Sequence, residues 1–151
     1  NWGITEAVAR AHGYTGDMHA LSRFEAYAIL ESNYWIKPGF EQIARLSYPI
    51  SFELCDAAVN IGPYPPCTWL QRWLNAFNRQ AQRYEEIKTD GVIGPRTLAA
   101  LQQFLSWRGE EGEKTLVKAL NCSQGMYYLE ITENSSKNEE FIYGWIKNRV
   151  T

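Results

Sequence analysis

The sequence predicts an all-α fold. Apolar residues recur at helical spacing through most of the chain, and no stretch shows the alternation of a half-buried strand. The breaks between those segments fall at clusters of Gly and Pro. With 151 residues, 45% of them hydrophobic and 14% aromatic, the chain can bury a real core, as one domain or as two small lobes in contact.

Taken in order, Thr5 is placed to cap a short helix through about His12, which Gly13 stops. Ser22-Arg23-Phe24-Glu25 has the capping-box pattern and opens a helix to about Trp35. Phe24, Tyr27, Ala28, Glu31 and Tyr34 share one stripe of it, and a carboxylate among aromatics lies either at the solvent edge or in a cleft. Lys37-Pro38-Gly39 breaks the pattern before a short helix carrying Phe40, Ile43 and Leu46. The next helix, 49–60, is apolar nearly all round, which predicts burial on every side. Asp56 and Asn60 lie four apart on it and share a face, as a structural hydrogen-bonding node or as the floor of a cleft.

Gly62-Pro63-Tyr64-Pro65-Pro66 is a stiff turn, followed by a predicted helix over 67–82 with Trp69, Leu70, Trp73, Leu74 and Phe77 inward. Arg72, Arg79 and Arg83 fall off that stripe and read as a solvated face. Asp90-Gly91-Val92-Ile93-Gly94-Pro95-Arg96-Thr97 is the strongest punctuation in the chain, a tight loop feeding a helix that begins near Pro95 and runs to about Trp107. Gly109 and Gly112 loosen the link to a long helix over 113–133, in which Gly125 suggests a close helix approach. Ser136-Lys137-Asn138-Glu139 is a second capping-box pattern, opening a last helix with Phe141, Ile142, Trp145 and Ile146.

Net charge is −2 with both signs interspersed, which argues against a nucleic-acid partner. Cys55, Cys67 and Cys122 make an odd count without a CxxC, favouring free thiols over disulfides or zinc. His12 and His19 are too few for a histidine-based metal site, and no metal or cofactor is expected. No apolar run reaches membrane-spanning length, and no signal peptide is recognisable in these residues. The many Trp and Tyr side chains suit sugar-binding clefts as well as ordinary cores.

Four motifs in order carry a family resemblance. The 90–97 loop, Asp-Gly-x-x-Gly-Pro-x-Thr followed by Leu98, resembles the signature of small helical peptidoglycan-binding modules, and with Leu70-Gln71 through Leu74-Asn75 before it resembles the C-terminal peptidoglycan-binding region of the family named next. Asn1-Trp2-Gly3-Ile4-Thr5, the Asp56-Ala57-Ala58-Val59-Asn60-Ile61-Gly62-Pro63 segment and the closing Gly144-Trp145-Ile146-Lys147-Asn148-Arg149-Val150 resemble segments of the phage-type N-acetylmuramidases, glycoside hydrolase family 108. That family also includes proteins once called secretion activators. The resemblance implies a lysozyme-like muramidase lobe over 1–63 and a helical peptidoglycan-binding lobe over 64–151. It implies hydrolysis of the bond between N-acetylmuramic acid and N-acetylglucosamine, with bacterial peptidoglycan as partner. The protein would be made in the bacterial cytoplasm and would act on the cell wall in the periplasm or outside the cell, as a phage endolysin does.

In that family the catalytic acid is the Glu of a Glu-Gly-Gly-Tyr motif preceding the Asn-aromatic-Gly-Ile-Thr segment. No Glu-Gly-Gly occurs in this sequence, so either the acid lies upstream of Asn1 or this member has lost activity, and no catalytic residue is assigned among Glu6, Glu31, Glu53 and Asp56. Trp2, Tyr34, Trp35, Asp56, Asn60 and Tyr64 are the candidates for sugar contacts, through stacking rings and hydroxyl-orienting polar groups. Asp90, Gly91, Ile93, Gly94 and Thr97 form the peptidoglycan-binding motif, whose chief role reads as architectural. The alternatives to an enzyme are a non-catalytic peptidoglycan-binding module and a helical phage structural or interaction protein.

Overall fold

A computed structural model describes residues 4–150. Among them there are seven α-helices and no strand. They are α1 (Glu6–His12), α2 (Arg23–Glu31), α3 (Phe40–Ala44), α4 (Tyr48–Ile61), α5 (Tyr64–Ala76), α6 (Pro95–Asn134) and α7 (Ile142–Arg149). No helix in the described residues is long and apolar enough to cross a membrane.

Local signals set most of the boundaries. The Thr5 and Ser22 hydroxyls accept from the amides of Val8 and Glu25, closing the first turns of α1 and α2. Ser47 caps α4 in the same way and also donates to Glu113 at 2.7 Å, tying that helix start to α6. α2 continues into one π turn, Ser32–Ile36, rather than ending at Trp35 as an α-helix. The wider turn re-aims Tyr34 and Trp35.

Two boundaries differ from the sequence expectation. α5 stops at Ala76, not Gln82. Asn78, buried just past its end, accepts from the amides of Arg83 and Tyr84 and donates to the Tyr84 carbonyl, so the chain turns back there. The second capping box does not form a cap. Ser136–Glu140 is a 3₁₀ turn in which Asn138 donates to the Ile131 carbonyl, and α7 starts at Ile142 without a side-chain cap.

Further along, α6 is two helices joined at Gly109, whose φ of 63° is a left-handed conformation that favours glycine. A Cβ at Gly125 would meet nothing within 4 Å, so the expected close helix approach is not there.

The main core gathers Phe40 and Ile43 of α3, Ile50 and Leu54 of α4, Leu70 and Leu74 of α5, and Leu101, Phe104, Leu116 and Leu120 of α6. α4 therefore packs on α3, α5 and α6 together. Trp69, Trp73 and Phe77 close the α5–α6 seam. Trp73 donates to Ser123 at 2.9 Å, Trp69 meets Tyr127 edge-on, and Phe77 stacks between Trp73 and Phe104. A smaller cluster of Ile4, Ala9, Leu21, Ala26 and Ile29 holds α1 to α2. Arg83 does not stay on a purely solvated face, because its guanidinium lies 4.5 Å from the centre of the Trp107 ring.

α4 is not buried on every side. Ile50, Leu54, Ala57 and Ala58 face the core, whereas Tyr48, Phe52 and Val59 are exposed on the opposite side. α2 shows the same split: Ala26 and Ile29 are buried, and the aromatic stripe of Phe24 and Tyr27 is exposed at 83% and 66%. The small cluster takes the aliphatic side of α2 and leaves Phe24 and Tyr27 on an open face.

Candidate functional site

Those two open faces meet across a groove of about 530 Å³. α2 and its π turn supply Tyr27, Leu30, Glu31, Tyr34 and Trp35, and α4 supplies Tyr48, Phe52, Cys55, Asp56 and Val59. Trp35, Tyr48 and Phe52 form a run of rings with successive centroids 6.4 and 6.2 Å apart. Cys55 donates its S–H to the Tyr34 carbonyl at 3.2 Å, which ties the π turn to α4. Burial, with the neighbouring Asp56 carboxylate adding to it, raises the Cys55 thiol pKa. Two carboxylates, Glu31 and Asp56, interrupt this mostly apolar lining. Large rings with a few convergent polar groups are the usual make-up of a small-ligand site.

Of the sequence-predicted sugar contacts, Tyr34, Trp35 and Asp56 lie in the groove. Trp2 lies outside the described residues. Asn60 shares the face of Asp56, but its amide faces α7. With its oxygen turned to Arg149 it accepts from Nη1 at 2.8 Å and Nε at 2.7 Å, and Arg149 Nη1 also lies 3.5 Å from Asp56. The amide further contacts the Tyr128 hydroxyl at 3.3 Å, which accepts from Gln124. The pair is thus both node and cleft: Asn60 belongs to the node, and Asp56 joins the node to the groove. Tyr64 is exposed and lies over Gly91, where an added Cβ would come within 2.7 Å of its ring.

Tyr27, Tyr48 and Phe52 were not singled out by sequence as ligand contacts. The available signal for Phe52 is the all-round apolar character of α4, which by itself predicts burial. Arg149 stood only within the closing motif, and nothing local shows that it reaches Asp56 and Asn60.

The other acids are disposed differently. Glu6 pairs with Arg10 at 3.6 Å on the surface of α1, and Glu53 is 8% exposed on α4 away from the groove lining.

The 90–97 loop is held from inside by Gln71, which is wholly buried. Its amide nitrogen donates to Asp90 Oδ1 at 3.1 Å, the Val92 carbonyl at 2.9 Å and Thr97 Oγ1 at 3.2 Å, and its oxygen accepts from the Gly91 amide at 2.8 Å. Asn75, one turn on, and Asn78, just past the helix end, clamp Ile87 and Tyr84 in the same way, so side-chain amides along α5 and just beyond it hold the segment that leads into the loop. Gly91 adopts a φ of 76° beneath Tyr64, and Ile93 packs against Gly39, where a Cβ would come within 2.9 Å. Gly94 ends the loop as the N-cap of α6, and Thr97 is buried. The hydrogen bond from the Val92 amide, then that from Gln71, holds the Asp90 carboxyl below the usual carboxylate range.

Residues 1–62 match the glycosyl hydrolase 108 family, and residues 65–150 match the family described as a predicted peptidoglycan domain. No curated protein matches the chain. A glycosyl hydrolase segment joined to a peptidoglycan domain makes this a peptidoglycan-related hydrolase or binder. With more than half of its length in the second match, the chain belongs to the family described as a predicted peptidoglycan domain, and its first 62 residues match the glycosyl hydrolase 108 family.

Proposed function

We propose that this chain is the glycan-binding body of a lysozyme-like N-acetylmuramidase, with a muramidase lobe over 1–63 and a peptidoglycan-binding lobe over 64–151. The observation that carries this reading is the aromatic groove between α2 and α4, with Glu31 and Asp56 in its walls. Tyr34 and Trp35 offer ring faces to the sugars, and Asp56 orients a hydroxyl or N-acetyl group. Cleavage between N-acetylmuramic acid and N-acetylglucosamine needs a carboxylic acid that protonates the leaving oxygen. The family's Glu-Gly-Gly-Tyr acid has no counterpart in these residues, and the resemblance assigns that role to a segment preceding the Asn-aromatic-Gly-Ile-Thr motif. The protein then acts on the cell wall, as an endolysin or a related muramidase.

The test is turbidity loss of purified cell walls with the chain as given and with the upstream segment joined to it. Clearing by the extended protein, reduced by Trp35→Ala, supports the enzyme. Intact walls, under conditions where a known lysozyme clears them, refute it. Co-sedimentation of the same protein with insoluble peptidoglycan would then leave the non-catalytic binder.

A further inference from the structure

A second cavity of about 520 Å³ lies against α7 and shares Asp56 with the aromatic groove. One face of α7 lines it: Phe141 just before the helix, then Gly144, Trp145, Asn148 and Arg149, at successive helical spacings. Phe141 and Trp145 stack at 6.0 Å to form an aromatic shelf, and Glu140 stands beside it. Gly144 sits at the centre of this face. It lies inside a helix, where glycine costs about 1 kcal/mol relative to alanine, yet an added Cβ would meet only the Asn148 amide, at 4.0 Å. No neighbouring atom requires a glycine there. Its effect is to leave a notch between Phe141 and Asn148.

The lining carries both signs of charge: the Glu140 and Asp56 carboxylates and the Arg149 guanidinium, which lies 3.5 Å from Asp56. The Arg149 Nη2 has no hydrogen-bond partner among the described residues. The sugars of a glycan strand offer hydroxyls and amides, and the peptide stem attached to each muramic acid carries ammonium and carboxylate groups. We propose that this cavity receives the peptide stem of a peptidoglycan strand whose glycan lies in the aromatic groove, a reading that rests on the groove being the glycan site. Arg149 then meets a stem carboxylate, Glu140 meets an ammonium group, and the stem backbone lies in the notch over Gly144.

The test is calorimetric binding of two soluble probes to the full chain: a disaccharide of the two amino sugars bearing a tetrapeptide stem, and the same disaccharide with the stem removed. Wild type binds the stemmed probe about tenfold more tightly, the equivalent of one charge-assisted hydrogen bond. Gly144→Leu fills the notch without disturbing the helix, and Glu140→Gln removes an exposed charge. Each abolishes the preference and leaves the affinity for the stripped probe unchanged. Equal affinities in wild type, or an undiminished preference in Gly144→Leu, overturn the stem site. Binding of the stemmed probe alone, lost in Gly144→Leu, keeps the stem site and refutes the glycan groove. Binding of neither refutes both.

Discussion

Replacing Gln71 by Ala tests whether one buried amide holds the whole 90–97 loop. The substitution removes the acceptor of the Gly91 amide and the donor to the Val92 carbonyl, two backbone groups at 2.8 and 2.9 Å, along with the bonds to Asp90 and Thr97. Each buried hydrogen bond contributes about 1 kcal/mol net. The shortened side chain also leaves a space in a position with no solvent access, which adds to the loss. Counting the two backbone bonds at about 1 kcal/mol each and the space left at about 1 kcal/mol, the loss is about 3 kcal/mol. In a domain of this size that lowers Tm by roughly 6–12 °C. Thermal unfolding followed by circular dichroism reads the loss, with Arg72→Ala, an exposed neighbour on α5, as the control expected to stay within about 0.5 kcal/mol. Hydrogen exchange at the Gly91 amide reads the cause, since that proton loses its protection with the glutamine. A fall in Tm of less than about 2 °C, or full protection of Gly91 in the variant, would show that the loop is held elsewhere.

Thiol labelling of the native protein separates the three cysteines. Exposed Cys122 reacts fast, Cys55 slowly and more slowly still with a glycan fragment in the groove, and Cys67, whose pKa burial pushes up to about 12, only after unfolding. The Asp90 carboxyl is held below its unfolded value of 3.8, so its contribution to stability is complete above that pH and is lost as pH falls through the lower folded value. Urea unfolding of wild type and Asp90→Asn from pH 5 to pH 2.5 should therefore show the steeper acid loss in wild type, and parallel curves would refute the assignment. Residues 64–151 expressed alone should lack a cooperative melting transition. They forfeit Phe40, Ile43, Ile50 and Leu54, all at most 1% exposed, at about 1.5–3 kcal/mol each, as much as a typical domain's whole stability.

Helices and their breaks were legible because their causes are local. Thr5 and Ser22 cap the helices that follow them, and Pro95 opens α6. What failed depends on contacts across the chain. Arg79, Gln80, Ala81 and Gln82 favour a helix by propensity, but Asn78 draws its hydrogen bonds from Arg83 and Tyr84 and ends α5 early. Likewise, Ser136 and Glu139 have the right spacing for a cap, yet Asn138 reaches back to Ile131 and the segment tightens into a 3₁₀ turn. Within the groove, Tyr34, Trp35 and Asp56 could be named from sequence, and Tyr48 and Phe52 could not. An apolar helix looks the same in sequence whether a neighbour covers its second face or leaves it open.

The aromatic residues show how the molecule distinguishes core from site. Trp69 and Trp73 on α5 and Phe77 at its end find Tyr127, Ser123 and Phe104 on α6, and that seam is closed with each indole or phenyl ring against a partner. Tyr48 and Phe52 on α4 pair with each other and with Trp35 along an open groove and stay exposed. α4 has to serve both sides at once, since removing its core face would unfold the protein and covering its outer face would close the groove. Asp56 stands where the two roles meet. Its carboxylate borders the groove, and Arg149 from the last helix holds it beside Asn60. A change at Arg149 therefore alters the groove wall without touching the groove itself. The C-terminal helix thereby becomes part of the site that the N-terminal half presents.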